Sequence, residues 1–246
     1  MIPKSHPRYE SLMTREKIVK GVEKGITSIH GLIAQGRGEA FDYLLGEKTS
    51  KSALQAEKTA AAILLLAKKP VISINGNAAA LVPEELIRLS DIVNAPLEVN
   101  LFHRTQERVN KIIEHLRSLG AKGMYTKSDG LIPGLEHGRA KVDINGIFSA
   151  DVVLVPLEDG DRCKALVDMG KKVIAIDLNP LSRTAQCAHV TIVDNITRAV
   201  PNISRAAEKL KSLNDDELQR LVNGFDNKRN LNESIQEIIE HLSIPL

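Results

Sequence analysis

The sequence predicts an α/β fold: a Rossmann-like parallel sheet flanked by helices, with an N-terminal helical segment before it and helices closing the chain. Three observations lead there. Between residues 70 and 194, short apolar runs alternate with amphipathic stretches. The run DVVLVPL at 151–157 has almost no polar face. Each run ends in polar, turn-forming residues. Strands apolar on both faces belong in parallel sheets covered by helices on both sides. Helices that cross between such strands define the doubly wound architecture.

The elements follow in order. Tyr9, Leu12, Met13, Val19 and Val22 make a broken helical stripe that Gly25 ends. Gly36-Arg37-Gly38 reads as a tight bend around one guanidinium, with Glu39 and Asp42 in a helix just beyond. Ser50 caps a helix over 51–69 that Pro70 stops, and its AAAILLLA half is apolar all round and so buried. Val71–Ile74 is a strand, 83–91 a helix and 96–100 a strand. Val109, Ile112, Ile113, Leu116 and Leu119 form a helical stripe closed by Gly120. Residues 121–148 are less regular and carry IPGLEHGR. Strand 151–157, a helix over 162–169, and strands 172–178 and 189–194 complete the core. Asn214 with Glu217, and Asn230 with Glu233, mark two capping-box-like helix starts. The expected division is a helical segment at 1–69 packed on a core at 70–246.

Composition narrows the function. In 246 residues, 43% are hydrophobic but only 3% aromatic, so aliphatic residues and alanine fill the interior. Stacking platforms for single-stranded nucleic acid need aromatics, and a net charge of +2 with interspersed signs makes no broad basic surface, so no nucleic acid partner is expected. Cys163 and Cys187 lack metal or disulfide-scaffold spacing. His30, His103 and His137 lie far apart without i, i+4 partners, so no protein-held metal is expected. The greasiest run, 60–67, is far short of the ~18 residues of a membrane span, and no apolar signal core opens the chain. A cytoplasmic protein without a membrane partner is the expectation.

Ligands of open parallel sheets bind beyond the carboxyl ends of the strands. There the sequence places Asn75-Gly76-Asn77, Asn100 with His103-Arg104, Glu158-Asp159-Gly160-Asp161, Asp177-Leu178-Asn179 with Arg183-Thr184, and Asp194-Asn195. All five predicted strands thus end in hydrogen-bonding residues, which favours a polar ligand. A carboxylate such as Asp177 accepts two hydrogen bonds from a ribose diol, although an Asx turn before Pro180 explains it equally. Arg183-Thr184 suits a phosphate. Neither a P-loop nor a Rossmann glycine fingerprint is present. Arg8 and Arg15 share a helix face, by default a solvated one. Arg37 either faces a ligand across its glycines or pairs with Glu39 or Asp42 in a helix-to-helix turn.

Three blocks carry a resemblance: GITSIHGLIAQGRGEAFDYLLGE (25–47), ISINGNAAAL (72–81) and IDLNPLSRTAQCAHVTIVDNITRAVPNI (176–203). With them the chain closely resembles the archaeal phosphopantothenate synthetases, or 4-phosphopantoate–β-alanine ligases, over essentially its whole length. The resemblance implies that ATP, 4-phosphopantoate and β-alanine give 4-phosphopantothenate, AMP and pyrophosphate through an acyl adenylate, on the way to coenzyme A. It implies a homodimer. It places the family's ATP contacts, residue by residue, on Arg15, Arg37, Asp177, Leu178, Asn179, Arg183, Thr184, Asn195 and Ile196, with Arg15 and Arg37 as the catalytic pair. Gln35 stands where many relatives have histidine. Mg2+ is expected to arrive with ATP, held mainly by phosphate oxygens and water.

Further expectations are this chain's own. Asn75, Gly76 and Asn77 hold the 4-phosphate or pantoate hydroxyl, or form a plain βα turn. His103 and Arg104 bind a substrate anion or lie on the surface. Lys127, Arg139 and the IPGLEHGR loop form a lid. Glu158, Asp159 and His103 are candidate bases for the β-alanine amine. Two other readings remain at this point: a non-catalytic nucleotide-binding module, and an NAD-dependent Rossmann-like enzyme.

Overall fold

The computed structural model describes residues 2–243. Helices α1 (Tyr9–Glu23), α2 (Ile29–Leu44) and α3 (Lys51–Leu66) open the chain, and the Ser50 hydroxyl caps α3 by accepting from Ala53 N. Strand β1 (Pro70–Ile74) runs into α4 (Gly76–Leu81) and α5 (Pro83–Val93). Strand β2 (Leu97–Val99), α6 (Gln106–Ser118) and β3 (Met124–Tyr125) come next. A small antiparallel ladder, β4 (Gly130–Leu131) with β5 (Lys141–Val142), leads to β6 (Val152–Pro156). Then α7 (Gly160–Asp168), β7 (Lys172–Ile176), α8 (Arg183–Cys187) and β8 (Val190–Ile192) alternate. The helices α9 (Ile196–Leu210), α10 (Asp215–Asn223) and α11 (Asn227–Leu242) follow.

The main sheet has the order β3-β2-β1-β6-β7-β8, parallel throughout. The chain moves outward from β1 to β2 and β3, then crosses back to β6 and proceeds the other way. The direction reverses between β1 and β6, and the carboxyl ends part there to leave a crevice.

The strand sequences explain the two layers. Residues alternate between faces. Ile72 and Ile74, Val152 and Leu154, and Ile174 and Ile176 enter one core with α3, α5, α6 and α9. Val71, Val153 and Val155, and Val173 and Ala175, enter the other with Cys163, Leu166, Ile132 and Ile147. Both faces are buried, so both must be apolar. Fully burying each large aliphatic side chain is worth about 1.5–3 kcal/mol. The alanine-rich half of α3 is buried as expected, between the sheet and the α9–α10 pair.

Three expectations are corrected. The sheet has a sixth strand, β3, whose two residues are too few to show a period in the sequence. No bend surrounds Arg37: Gly36, Arg37 and Gly38 lie inside the continuous helix α2. The last helix starts at Asn227, capped by the Asp226 carboxylate, and not at Asn230, which is buried and donates to Thr191 O. Asn214 and Glu217 do form a reciprocal capping box on α10. Residues 121–148 are anchored. The Glu98 carboxylate accepts from the amides of Asp143 and Ile147, and the Asn100 amide donates to the carbonyls of Arg139 and Lys141. In this arrangement the segment supplies Arg139 to the side wall of the crevice.

Candidate functional site

The crevice between the ends of β1, β2 and β6 encloses about 330 Å3. Four segments line it: 27–37 from α2 and the turn before it, 75–77 after β1, 101–108 after β2, and Leu157, Glu158 and Asp159 after β6, with Arg139 from the side wall. Asn75 and Asn77 set its floor. Asn75 Oδ1 caps α4 through Ala78 N, while Nδ2 donates to the carbonyls of Pro156 and Leu157 and so ties β1 to β6. Asn77 Nδ2 donates to Gly31 O, and its Oδ1 accepts from Thr27 Oγ1, which pins the start of α2 against α4. Gly31 is needed there: a Cβ would stand 2.3 Å from both Asn77 Oδ1 and Thr27 Oγ1.

A buried ion network lies beneath the β6 side. The Glu158 carboxylate, 1% exposed, bridges Arg139 through Oε1 and Arg162 through Oε2. Arg162 is fully buried and also donates to Ser73 Oγ. Burial pulls both guanidinium groups down to about 10. Burial also pushes Glu98, which lies within reach of the Arg162 charge, up to about 7. Asp159 Oδ1 caps α7 through Arg162 N, and Oδ2 lies 3.3 Å from Arg139 Nε without a hydrogen bond. Glu158 thus spends both oxygens on cations, which makes it a poor proton acceptor. Of the three candidate bases, Asp159 and His103 retain free polar atoms facing the crevice.

The opposite rim is cationic. Arg37 and Arg108 line the crevice, and neither pairs with a carboxylate among the described residues. Glu39 is taken by Arg8 and Arg15, and Asp42 by Arg198, which removes both partners that the turn reading offered Arg37. His30 and His103, remote in sequence, have ring centroids 4.5 Å apart, and Phe102 packs against both His103 and His137. No group of three or more His, Cys, Asp or Glu side chains among the described residues is placed to hold a metal.

Beyond β7 and β8 a second polar edge continues the first. Asp177 accepts from Asn179 N and from the Ser182 hydroxyl, and Asn179 Oδ1 accepts from Leu181 N. Burial raises Asp177, opposed by its hydrogen bonds from Ser182 and Asn179 N and, more weakly, by the positive charge of Arg37, which lines the crevice. Leu178 is buried against α2 and α11, where Gly38 gives it room. Arg183 is exposed and paired with Asp161, and the Thr184 hydroxyl donates to Glu158 O. Asn195 caps α9 through Oδ1 and donates to Asp42, and Ile196 is the buried first residue of that helix.

Of the residues singled out in the sequence, Arg37, Asn75, Gly76, Asn77 and His103 share the crevice, and Asp177 to Thr184 with Asn195 and Ile196 form the adjoining edge. Arg104 leaves it: its guanidinium goes to Ser128 Oγ and Val99 O. Arg15 on α1 is exposed, held by Glu39, and does not line the crevice. Reading the sequence missed Arg108, Thr27, Ser28 and the pairing of Arg139. Arg162 had a signal, a Glu-to-Arg spacing of four. Arg108 had none, since it sits on the polar side of an ordinary amphipathic helix.

An open parallel sheet with a crevice at its reversal point, cationic groups free of carboxylates and an adjoining acidic strand tip together define a doubly wound α/β domain with a polar crevice where such folds take their ligands. The chain belongs to the phosphopantothenate/pantothenate synthetase family, whose pattern it matches over residues 52–241. It is 58% identical over 241 residues to a 4-phosphopantoate–β-alanine ligase of Methanosarcina mazei, covering 98% of this chain and 95% of that one. Proteins of the same name from Thermococcus onnurineus and Thermococcus kodakarensis are each 55% identical over 244 residues, covering 98% of this chain and 94% of theirs.

Proposed function

We propose that this protein is an ATP-dependent ligase that condenses 4-phosphopantoate with β-alanine to 4-phosphopantothenate, a step of coenzyme A biosynthesis. The observation that carries the activity is end-to-end similarity above one-half identity to ligases of that name. The reading is supported by Arg37, which lines the crevice without a carboxylate partner among the described residues. The acid substrate lies in the crevice and ATP along the β7–β8 edge. A substrate carboxylate oxygen attacks the α-phosphorus, and the bond to pyrophosphate breaks. The β-alanine amine then attacks the acyl carbon, loses a proton, and AMP leaves.

The chain's own groups position and neutralise. Arg37 lies at the junction where charge builds on departing pyrophosphate. Asp177 keeps lone pairs for the ribose hydroxyls after its two internal bonds. Leu178 and Ile196 support the nucleotide edge, Arg183 and Thr184 flank its phosphates, and Asn179 and Asn195 border it. Mg2+ supplies charge neutralisation of the triphosphate when bound. The crevice matches that role mainly through phosphate oxygens, because Glu158 is committed to two arginines and Asp159 has one oxygen on a helix cap and the other beside Arg139.

A second copy of the chain is the proposed partner. Ile29, Ile33, Gly36, Ala40 and Tyr43 recur at alternating spacings of four and three along α2, all exposed, with the two isoleucines at 68% and 65%. That seam is the heptad signature of a helix-to-helix contact. Gly36 sits at its midpoint, and a Cβ added there would meet no atom within 4 Å, which leaves the open space that a close helix crossing requires. Arg15, exposed on the neighbouring α1, becomes available to the partner's site in such a dimer. The protein acts in the cytoplasm without nucleic acid, and no helix among the described residues is long and apolar enough to cross a membrane.

The test is pyrophosphate release from ATP and Mg2+ by the purified protein. Release that requires both 4-phosphopantoate and β-alanine is expected. Absence of release with all substrates present, together with nucleotide binding, would leave a nucleotide-binding module and overturn the ligase assignment.

A further inference from the structure

We infer that Arg108, with His103 and the first turn of α2, forms a phosphate-monoester subsite that selects the phosphorylated acid over the same acid with a free hydroxyl. The inference rests on the proposed ligase activity and names the residues that set its substrate choice.

Four observations carry it. Arg108 lines the crevice half-buried, and no carboxylate neutralises it. Its Nη1 donates to His103 O at 2.7 Å and its Nη2 to Ile26 O at 3.3 Å, so neutral carbonyls orient the guanidinium without cancelling its charge. Its Nε is buried and has no acceptor at all. A half-buried cation in this condition leaves unmet hydrogen-bonding capacity in the cavity, and an anion supplies what is missing.

Second, the start of the 16-residue helix α2 opens on the same cavity. Ser28 stands at the cap position but makes no capping bond, and the amides of Ile29 and His30 have no acceptor. Third, the rings of His30 and His103 stack beside this corner and add donors. Fourth, the crevice is polarised. Its acids, Glu158 and Asp159, lie on the β6 wall, where Arg139, 7% exposed and with an unpartnered Nε, and Arg162 are bound up with them. That wall is internally neutralised, two acids against two arginines, whereas the Arg108 corner carries an uncompensated positive charge that attracts a dianion. Held there, an elongated acid points its carboxylate back along the crevice towards Arg37 and the nucleotide edge.

The discriminating measurement is kcat/KM for 4-phosphopantoate and for pantoate, in the wild type and in Arg108→Met, which keeps the aliphatic stem. The wild type prefers the phosphorylated acid. In the variant that ratio is expected to collapse about 10- to 100-fold, the span that charged hydrogen bonds command. A purely structural role would lower both substrates together and leave the ratio unchanged, and that result overturns the inference. Arg108→Lys, which retains charge but not the fork, should fall between, and it replaces the methionine variant if that one does not fold. Inorganic phosphate provides an independent reading by titration calorimetry. Millimolar binding to the wild type, weakened at least tenfold in the variant, supports the subsite; equal binding refutes it. If neither acid drives pyrophosphate release in the wild type, the ligase reading fails, while the phosphate titration still judges the subsite.

Discussion

Glu158→Gln removes one negative charge from the middle of the buried network and changes almost no volume. In the native protein each carboxylate oxygen serves one guanidinium, and the three side chains are 1% (Glu158), 8% (Arg139) and 0% (Arg162) exposed. The amide keeps one acceptor and turns a donor towards the other arginine. Arg162 retains Ser73 Oγ, and Arg139 retains the Asp159 carboxylate at 3.3 Å, but neither regains a direct bond of the original kind. Breaking one side of a buried ion pair costs about 3–5 kcal/mol. For a chain of this length about 2–4 °C accompanies each kcal/mol, so Tm should fall by roughly 6–20 °C at pH 7. Differential scanning calorimetry or far-UV circular dichroism reads the shift. Because the charges are buried, the difference from wild type should persist between about 0.1 and 1 M salt. A fall smaller than about 2 °C would mean that the network contributes no net stability and that its arginines are effectively solvated.

Other outcomes follow from the same geometry. Arg37→Ala should reduce ligase turnover by about 10²–10³-fold with Tm nearly unchanged, since Arg37 is exposed and forms no ion pair; normal turnover removes it from the mechanism. Glu57 is 1% exposed, its Oε2 has no partner, and burial beside Asp194 pushes its pKa up to about 9. The folded state therefore keeps a proton that the unfolded chain releases above its ordinary value of 4.5, so stability drawn from this group falls as pH rises between the two values. Glu57→Gln should raise Tm progressively across that window and leave it unchanged near pH 4; a pH-independent difference would contradict the assignment. Gly36→Glu improves helix propensity yet places a charge on the α2 seam, so sedimentation should show monomers; an intact dimer would place the interface elsewhere.

Much of the fold was legible in the sequence because its signals are local. The β6 and β7 runs are apolar on both faces since each face meets its own core, and that requirement is written into consecutive residues. Cap residues Ser50 and Asn214 bond within three residues of themselves, so their roles could be read in place. The two misread features failed for a physical reason. Asn230 has the spacing of a cap, but its amide is used on Thr191, and Gly36 and Gly38 have the look of a bend, but both lie inside α2, where Gly38 packs beside Leu178 from a distant strand end. At the candidate site, three of the polar strand ends named in the sequence line the crevice. Which arginines were free could not be seen, because pairing is settled by distant acids: Arg198 finds Asp42 across 156 residues, and Arg8 finds Glu47 across 39.

By itself, the sequence determined the alternation of elements, the parallel sheet covered on both faces, the polar carboxyl edge and the family. Only the tertiary structure decided the reversal between β1 and β6, the neutralisation of Arg139 and Arg162 by Glu158, and the isolation of Arg37 and Arg108 as uncompensated charges. The division has one cause. Hydrophobic period and capping act over a few residues and so survive in linear order, whereas charge compensation depends on distances in space that only packing sets.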